Sequence, residues 1–260
     1  MTSYFFRMIN YYWRTLVTSG CFIAFAVLGI LFSLLLYPIL RLLDAERRHA
    51  SARWLLHKFF RLIVAVLRSA GCMRLQTAGI KRLQNAGAVL VLANHPTYID
   101  FVVLLSLTPN ANCVVKSEHW DNPVFGGMLR AAGYIRSSRA DQLLEDCAQA
   151  LASGDPVIIF PEGTRSSPGA PMKFLRGAGY IALKSGRPIV PVLLRCDPPT
   201  LNKNSRWYQV PPRSFHYRVT VRNPLRADAL ADTRHGSPVI AARRLTRALE
   251  GYFSSELSVL

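Results

Sequence analysis

Two strings of polar residues follow two short apolar runs, and they hold most of the side chains able to do chemistry. Ala88-Val89-Leu90-Val91-Leu92-Ala93 has the length and β-branched content of a buried strand, and it opens onto Asn94-His95-Pro96-Thr97-Tyr98-Ile99-Asp100. Val157-Ile158-Ile159-Phe160 opens in the same way onto Pro161-Glu162-Gly163-Thr164-Arg165. Strand ends are where open α/β sheets build their sites. His95 and Asp100 are close enough in sequence for a turn to join imidazole and carboxylate. Such a carboxylate fixes the ring's tautomer and stabilises the imidazolium, which makes His95 a competent general base. Alone, His-x4-Asp is a loose pattern, equally consistent with a lone strand-end histidine and an aspartate that starts a helix.

The neighbours of this pair shift the balance. An arginine beside a glycine in a strand-end loop suits close, bidentate gripping of a phosphate. The competing use of Glu162 and Arg165 is a surface ion pair. Lys116 follows the run Cys113-Val114-Val115, and Gly133-Tyr134-Ile135-Arg136-Ser137-Ser138-Arg139 lies between the two strings. Each base alone reads as a solvated charge. Several of them at or near strand ends outline a pocket for an anionic substrate.

The elements that must position these residues follow from the apolar pattern. From residue 72 strand-like runs (73–77, 88–93, 111–115, 156–160, 189–195, 215–222) alternate with helix-like segments (98–107, 123–132, 141–153, 174–185, 238–254). That alternation predicts an α/β fold with a mostly parallel sheet flanked by helices. A Pro-rich loop, 197–213, precedes the last strand. Upstream, residues 15–40 carry no charge, between Arg14 and Arg41. The run exceeds the roughly 20 residues needed to cross a bilayer, with Pro38 placed to kink or end it near the interface. A signal peptide competes, but the run is long for one and lacks a clear cleavage site. Residues 45–70 place Trp54, Leu55, Phe59, Leu62, Ile63, Val66 and Leu67 at helical spacing with bases between them. This is either an amphipathic basic helix on an anionic membrane surface or a helix packed on the α/β domain, with Gly71 as its C-terminal cap. The expected organisation is residues 1–71 as membrane anchor and amphipathic helix, and 72–260 as the α/β domain.

Composition limits the partners. Half of the 260 residues are hydrophobic and only 18% are charged, which excludes disorder. The net charge of +17 leaves nucleic acid, an anionic membrane or phosphorylated small molecules. The excess is spread out: residues 1–80 carry 10 Lys/Arg against 2 acids, and 81–260 carry 22 against 13. By the positive-inside rule, the bases that follow the apolar run put the bulk of the chain on the cytoplasmic side. Five scattered cysteines without a Cys-x-x-Cys read as buried apolar residues in a reducing compartment. Trp207 and Tyr208 lack any nucleic-acid motif beside them and read as an interfacial anchor or lid. Gly177-Ala178-Gly179-Tyr180-Ile181-Ala182 fits a dinucleotide fingerprint, but it follows no clear strand and reads as a tightly packed helix.

These motifs, in this order, resemble the glycerolipid acyltransferase superfamily, typified by the 1-acyl-sn-glycerol-3-phosphate acyltransferases. Asn94-His95-x4-Asp100 is similar to its first motif and Gly133-x5-Arg139 to its second. Phe160-Pro161-Glu162-Gly163-Thr164-Arg165-Ser166 matches the third, and Val190-Pro191-Val192 the fourth. The likeness covers about residues 75–195. Ser137 departs from the apolar residue usual in the second motif, and Thr97 stands where many members carry Ser. The resemblance implies an α/β acyltransferase domain in which His95, oriented by Asp100, takes the proton from an acceptor hydroxyl that attacks an acyl thioester. It implies that Glu162, Gly163 and Thr164 help bind the acceptor, and that Arg165 and Arg139, with Lys116 nearby, hold its phosphate. Neither a metal nor a cofactor nor a covalent intermediate is required; acyl-CoA or acyl carrier protein serves as co-substrate. The implied partners are membrane lipids and a lysophospholipid acceptor, with no nucleic acid, at a bacterial inner membrane with the catalytic domain on the cytoplasmic side. Two readings stay open beside it: an acyltransferase of a specialised pathway with another hydroxylated lipid acceptor, and a non-catalytic basic membrane-surface protein.

Overall fold

The computed structural model describes residues 2–166, 170–203, 206, 209–231 and 237–260. Trp207 and Tyr208 lie outside them. In chain order the elements are helix α1 (Thr2–Leu31), one π-helical turn (Phe32–Leu36), α2 (Tyr37–Leu40), α3 (Ala45–Ser69), β1 (Met73–Ala78), α4 (Lys81–Gln84), β2 (Leu90–Ala93), α5 (Asp100–Leu107), β3 (Asn112–Lys116), α6 (Ser117–Trp120) and α7 (Gly126–Ala131). They continue with β4 (Ile135–Ser137), α8 (Ala140–Ala152), β5 (Val157–Ile159), α9 (Arg176–Ser185), β6 (Ile189–Asp197), β7 (Phe215–Val221), α10 (Ala227–Leu230) and α11 (Pro238–Ser258).

The seven strands form a sheet in the order β1-β7-β6-β2-β5-β3-β4. Every pairing is parallel except β6 with β7, so the expected mostly parallel α/β sandwich is what forms. Central strands β2 and β5 are buried throughout, as continuous apolar runs covered on both faces must be. Alternation divides them: Val91 and Ala93 join the core under α3 and α5, whereas Leu90 and Leu92 join the core with α8, α9 and α11. Gly179 brings α9 against α11, where a Cβ would meet Thr246 Oγ1 at 2.5 Å and the Ala242 carbonyl at 2.6 Å. The fingerprint-like string is therefore a packed helix. Strand β4 was not expected. Its three residues, only Ile135 buried, are too short for a period.

The N-terminal helix runs from Thr2 to Leu40 with a shift of register rather than a break. Pro38 has no N–H to give Leu34, and just upstream the Tyr37 N–H reaches Phe32 O. A π turn of this kind absorbs a missing bond without ending the helix. Among the described residues this is one helix long and apolar enough to cross a membrane, with mean hydropathy 2.5 over the most apolar 18 residues of Phe5–Leu40. Its Phe32 is buried and its Phe25 stacks on Phe125 at 4.9 Å, while Leu16, Leu34, Leu35 and Ile39 are exposed.

Helix α3 takes the packed alternative. Leu56, Phe60, Val64 and Leu67 are buried against the sheet and α5, while Trp54 and Leu62 face outward. Gly71, at φ +71°, follows the Ala70 C-cap, as a glycine cap should. Arg53 is buried within this interface. Its Nε donates to Ala132 O at 2.8 Å and its Nη1 pairs with Asp155, which also accepts from Asn110. Removing one partner of such a pair strands the other in low dielectric. Arg53→Ala should lower unfolding stability by about 3 kcal/mol, read from the denaturant midpoint, whereas the exposed Arg47→Ala should leave it nearly unchanged.

Candidate active site

Strands β2 and β5 are direct neighbours in parallel register, Leu92 beside Ile159, so the two polar strings leave the sheet at the same edge, about 4.8 Å apart. Asn94 fixes where β2 ends. Its side-chain amide donates to Leu194 O at 2.9 Å and its carbonyl accepts from Leu194 N–H at 2.7 Å, continuing the pairing to β6 through a side chain. The chain then turns through Pro96 into α5, whose first residue is Asp100.

Asp100 is fully buried, while His95 is 20% exposed. The His95 Nδ1–H donates to Asp100 Oδ2 at 2.7 Å, and the same oxygen accepts the Thr97 N–H at 2.8 Å. The other oxygen accepts the Thr97 hydroxyl and, at 2.5 Å, the hydroxyl of Tyr217. A carboxylate only accepts, so the ring nitrogen facing it carries the hydrogen and Nε2 keeps its lone pair. The imidazole is also held flat on Phe160, ring centroids 4.2 Å apart. Orientation is thus set from two sides, leaving Nε2 as the group that can receive a proton.

Glu162 locks the two strings together. Its Oε1 accepts the His95 backbone N–H at 3.0 Å and the Ser166 hydroxyl at 2.7 Å, while Ser166 N–H donates to His95 O at 2.7 Å. Gly163 sits at φ +65°, and a Cβ there would meet Leu175 Cδ1 at 2.4 Å. The positive φ is what calls for glycine, since the exposed Leu175 side chain could move aside. Thr164 is exposed in the same turn. Arg165 makes no ion pair with Glu162. Its guanidinium lies over the ring of Tyr98, 3.4 Å from the centroid, and Nη1 donates to Asn202 O at 2.6 Å. The loop after β6 also caps Tyr98, since Tyr98 N–H donates to Leu201 O at 2.9 Å. Arg165 therefore reaches the edge as a rigid, half-buried cation with nitrogens to spare.

Lys116 and Arg139 sit farther along the same edge. Lys116 ends β3, whose partner in register is Ser137 of β4, and Arg139 is the N-cap position of α8. Both are exposed. At about 4.8 Å per strand, β3 and β4 lie roughly 10 and 15 Å from β2. The structure brings His95, Asp100, Glu162 and Arg165 into one cluster, and sets Lys116 and Arg139 along its flank. Arg136 is tied to Asp121 at 2.5 Å and serves the edge itself.

Tyr217 carries no mark in the sequence that points to the site. It is fully buried on β7, and burial beside the Asp100 carboxylate holds its hydroxyl well above the usual tyrosine range. The phenol therefore remains a donor where a free tyrosine would ionise, so its stabilising contribution is complete below about pH 10 and is lost as pH rises further. Tyr217→Phe leaves Asp100 one donor short, at an expected cost of about 1–3 kcal/mol. The alkaline fall of stability should become shallower than in the unsubstituted chain. Unfolding midpoints measured between pH 7 and 11 read both effects; an unchanged midpoint throughout would show the contact to be idle.

Residues 74–195 match the family described as Acyltransferase. A 1-acyl-sn-glycerol-3-phosphate acyltransferase from Helicobacter pylori is 35% identical over 115 residues, covering 42% of this chain and 48% of that protein. One from Chlamydomonas reinhardtii is 32% identical over 111 residues, covering 41% of this chain and 33% of that protein. The match thus spans between a third and a half of these relatives' length. The crystal structure of the 1-acyl-sn-glycerophosphate (LPA) acyltransferase PlsC from Thermotoga maritima shares the fold, with a TM-score of 0.67 over 95% of this chain and 97% of that one, at 20% identity. The matched stretch contains the whole cluster of His95, Asp100, Glu162 and Arg165, and over that stretch the chain is similar to the acyltransferase family.

Proposed function

We propose that the chain is a membrane-bound O-acyltransferase that moves a fatty acyl group from an acyl thioester, acyl-CoA or acyl carrier protein, to the hydroxyl of a lysophospholipid such as 1-acyl-sn-glycerol-3-phosphate. The observation that carries the proposal is the His95 ring, fixed through Nδ1 on Asp100 and offering Nε2 at an edge where Arg165 waits as a braced cation. The acceptor hydroxyl gives its proton to Nε2 as its oxygen attacks the thioester carbonyl. Collapse of the tetrahedral adduct breaks the carbon–sulfur bond, and the departing thiolate takes the proton from the imidazolium. Base help of this kind is worth roughly 10²–10⁴-fold, with the rest supplied by positioning.

Membrane attachment rests on the apolar helix Phe5–Leu40 and its exposed leucines, and the substrate for which the relatives are named supports the acceptor class. Arg165 would take the acceptor phosphate, Lys116 and Arg139 would extend the positive flank, and Gly163 and Thr164 would line the approach. Glu162 would act chiefly by holding the His95 and Arg165 loops in register. The bases beyond the apolar helix would place the bulk of the chain on the cytoplasmic side of a bacterial inner membrane, where thioester donors are found.

Thiol release from acyl-CoA, with and without lysophosphatidic acid, tests the reading. His95→Ala should lose at least about 10²-fold in turnover with its unfolding midpoint retained. Arg165→Ala should raise the acceptor KM about 10–150-fold, with the donor KM nearly unchanged. Arg165→Lys should recover only part, because an ammonium keeps the charge but loses the fork and the flat contact with Tyr98. Acceptor-independent thiol release, or near-normal transfer by a folded His95→Ala chain, would end the proposal.

A further inference from the structure

The outer third of the sheet carries a second concentration of positive charge, on the face away from Asp100. Strand alternation sends Tyr217 toward Asp100 and its neighbours His216 and Arg218 to the opposite face. On that face the register is definite: Gln76, Arg218 and Arg195 lie in one row across β1, β7 and β6, and Arg74, His216 and Asp197 in the next. These six side chains line a cavity of about 340 Å³.

Among the described residues, basic side chains of this lining outnumber acidic ones. Arg195 and Arg218 stand directly opposite on antiparallel strands, and like charges in that relation destabilise a sheet. Asp197, the one acidic side chain of the lining, is shared with a further base, Arg213, at 3.4 Å. Arg218 is engaged by Leu260 O at 2.7 Å and Gln76 Oε1 at 3.4 Å. Among the described residues, no hydrogen bond or ion pair engages Arg74 or Arg195. Three guanidinium groups thus converge on a concavity of the size that takes small molecules (~300–1,000 Å³), with two of them open to a ligand.

We propose that this cavity is a second anion site, for a molecule carrying phosphate or diphosphate, independent of the acyl-transfer reading. Guanidinium forks match phosphate oxygens in pairs, and an occupant would relieve the repulsion between Arg195 and Arg218. The site is coupled to the catalytic edge through β6. Leu194, adjacent to Arg195, is the residue Asn94 clamps, and the chain beyond Asp197 supplies Leu201 to Tyr98 and Asn202 to Arg165. Two sources share the chemistry: a soluble diphosphate compound, such as a nucleotide-bearing donor, and a phospholipid headgroup.

The test is titration calorimetry of the full chain in neutral detergent with inorganic pyrophosphate. The Arg74→Ala/Arg195→Ala double variant should bind at least about tenfold more weakly with an unchanged Tm, since both side chains are exposed. Arg165→Ala should retain the affinity. Binding by the double variant equal to the unsubstituted chain, loss of binding in Arg165→Ala, or no binding at all would overturn the proposal. Flotation with phosphatidylcholine vesicles, with and without phosphatidylglycerol, then separates the sources. A headgroup site predicts that the double variant loses the gain due to phosphatidylglycerol and that pyrophosphate competes for it. A soluble-ligand site predicts that neither happens.

Discussion

Asp100 has no exposure to solvent, and a carboxylate so placed costs several kcal/mol unless donors meet its lone pairs. Four donors do, from two parts of the chain: His95 and Thr97 on the loop after β2, with Thr97 giving two, and Tyr217 from β7. The turn that brings His95 to the sheet edge, the start of α5 and the position of β7 are thereby tied to one side chain. Register is part of this constraint. Tyr217 reaches Asp100 because β7 pairs with β6 so that Tyr217 lies opposite Cys196. A slip of one residue would put His216 or Arg218 there and remove the phenol.

Much of this was legible in the sequence where the chemistry is local. The runs before His95 and Glu162 are apolar at every position because β2 and β5 are covered on both faces, and fully buried strands leave that mark. The His95–Asp100 pair spans five residues and its geometry is a turn. What could not be read was contact between distant residues. Tyr217 lies 117 positions from Asp100 and looks like any aromatic in a strand. Tyr98, between two motif residues, gave no sign that its ring would carry Arg165, since the loop that frames the stack arrives from Leu201 and Asn202. Glu162 read as an acceptor-binding group by resemblance, yet its near contacts are to the backbone of the other string and to Ser166.

The N-terminal helix shows the same limit from another side. Its charge-free run is apolar all round, and such a run does not say which face meets protein. The structure divides it: Phe25 and Phe32 join the core with Phe60 and Phe125, while Leu16, Leu34 and Ile39 stay outside. Helix α3 is equally two-sided, with Arg53 turned inward to Asp155 and Trp54 outward. Basic residues on an amphipathic helix signal a membrane surface only when they lie on the outer face, and spacing alone placed Arg53 no differently from Lys58 or Arg61.

The stretch that matches the acyltransferase family ends at Arg195, and the cluster it contains is incomplete without the strand and loop beyond that point. Arg195 is the last matched residue, yet β6 goes on pairing with β7 through Cys196 and Asp197, and β7 delivers Tyr217 to the carboxylate. The loop between those strands returns Leu201 and Asn202 to Tyr98 and Arg165. Residues beyond the motifs therefore do not merely enlarge the domain. They close the hydrogen bonding of a buried charge and brace a cation, two tasks the motif residues cannot do for themselves, because each needs a partner from the far side of the sheet edge. By the same strand alternation, β7 gives its phenol to one face and its bases to the other. A single register thus settles both the orientation of His95 and the arginine rows of the second cavity.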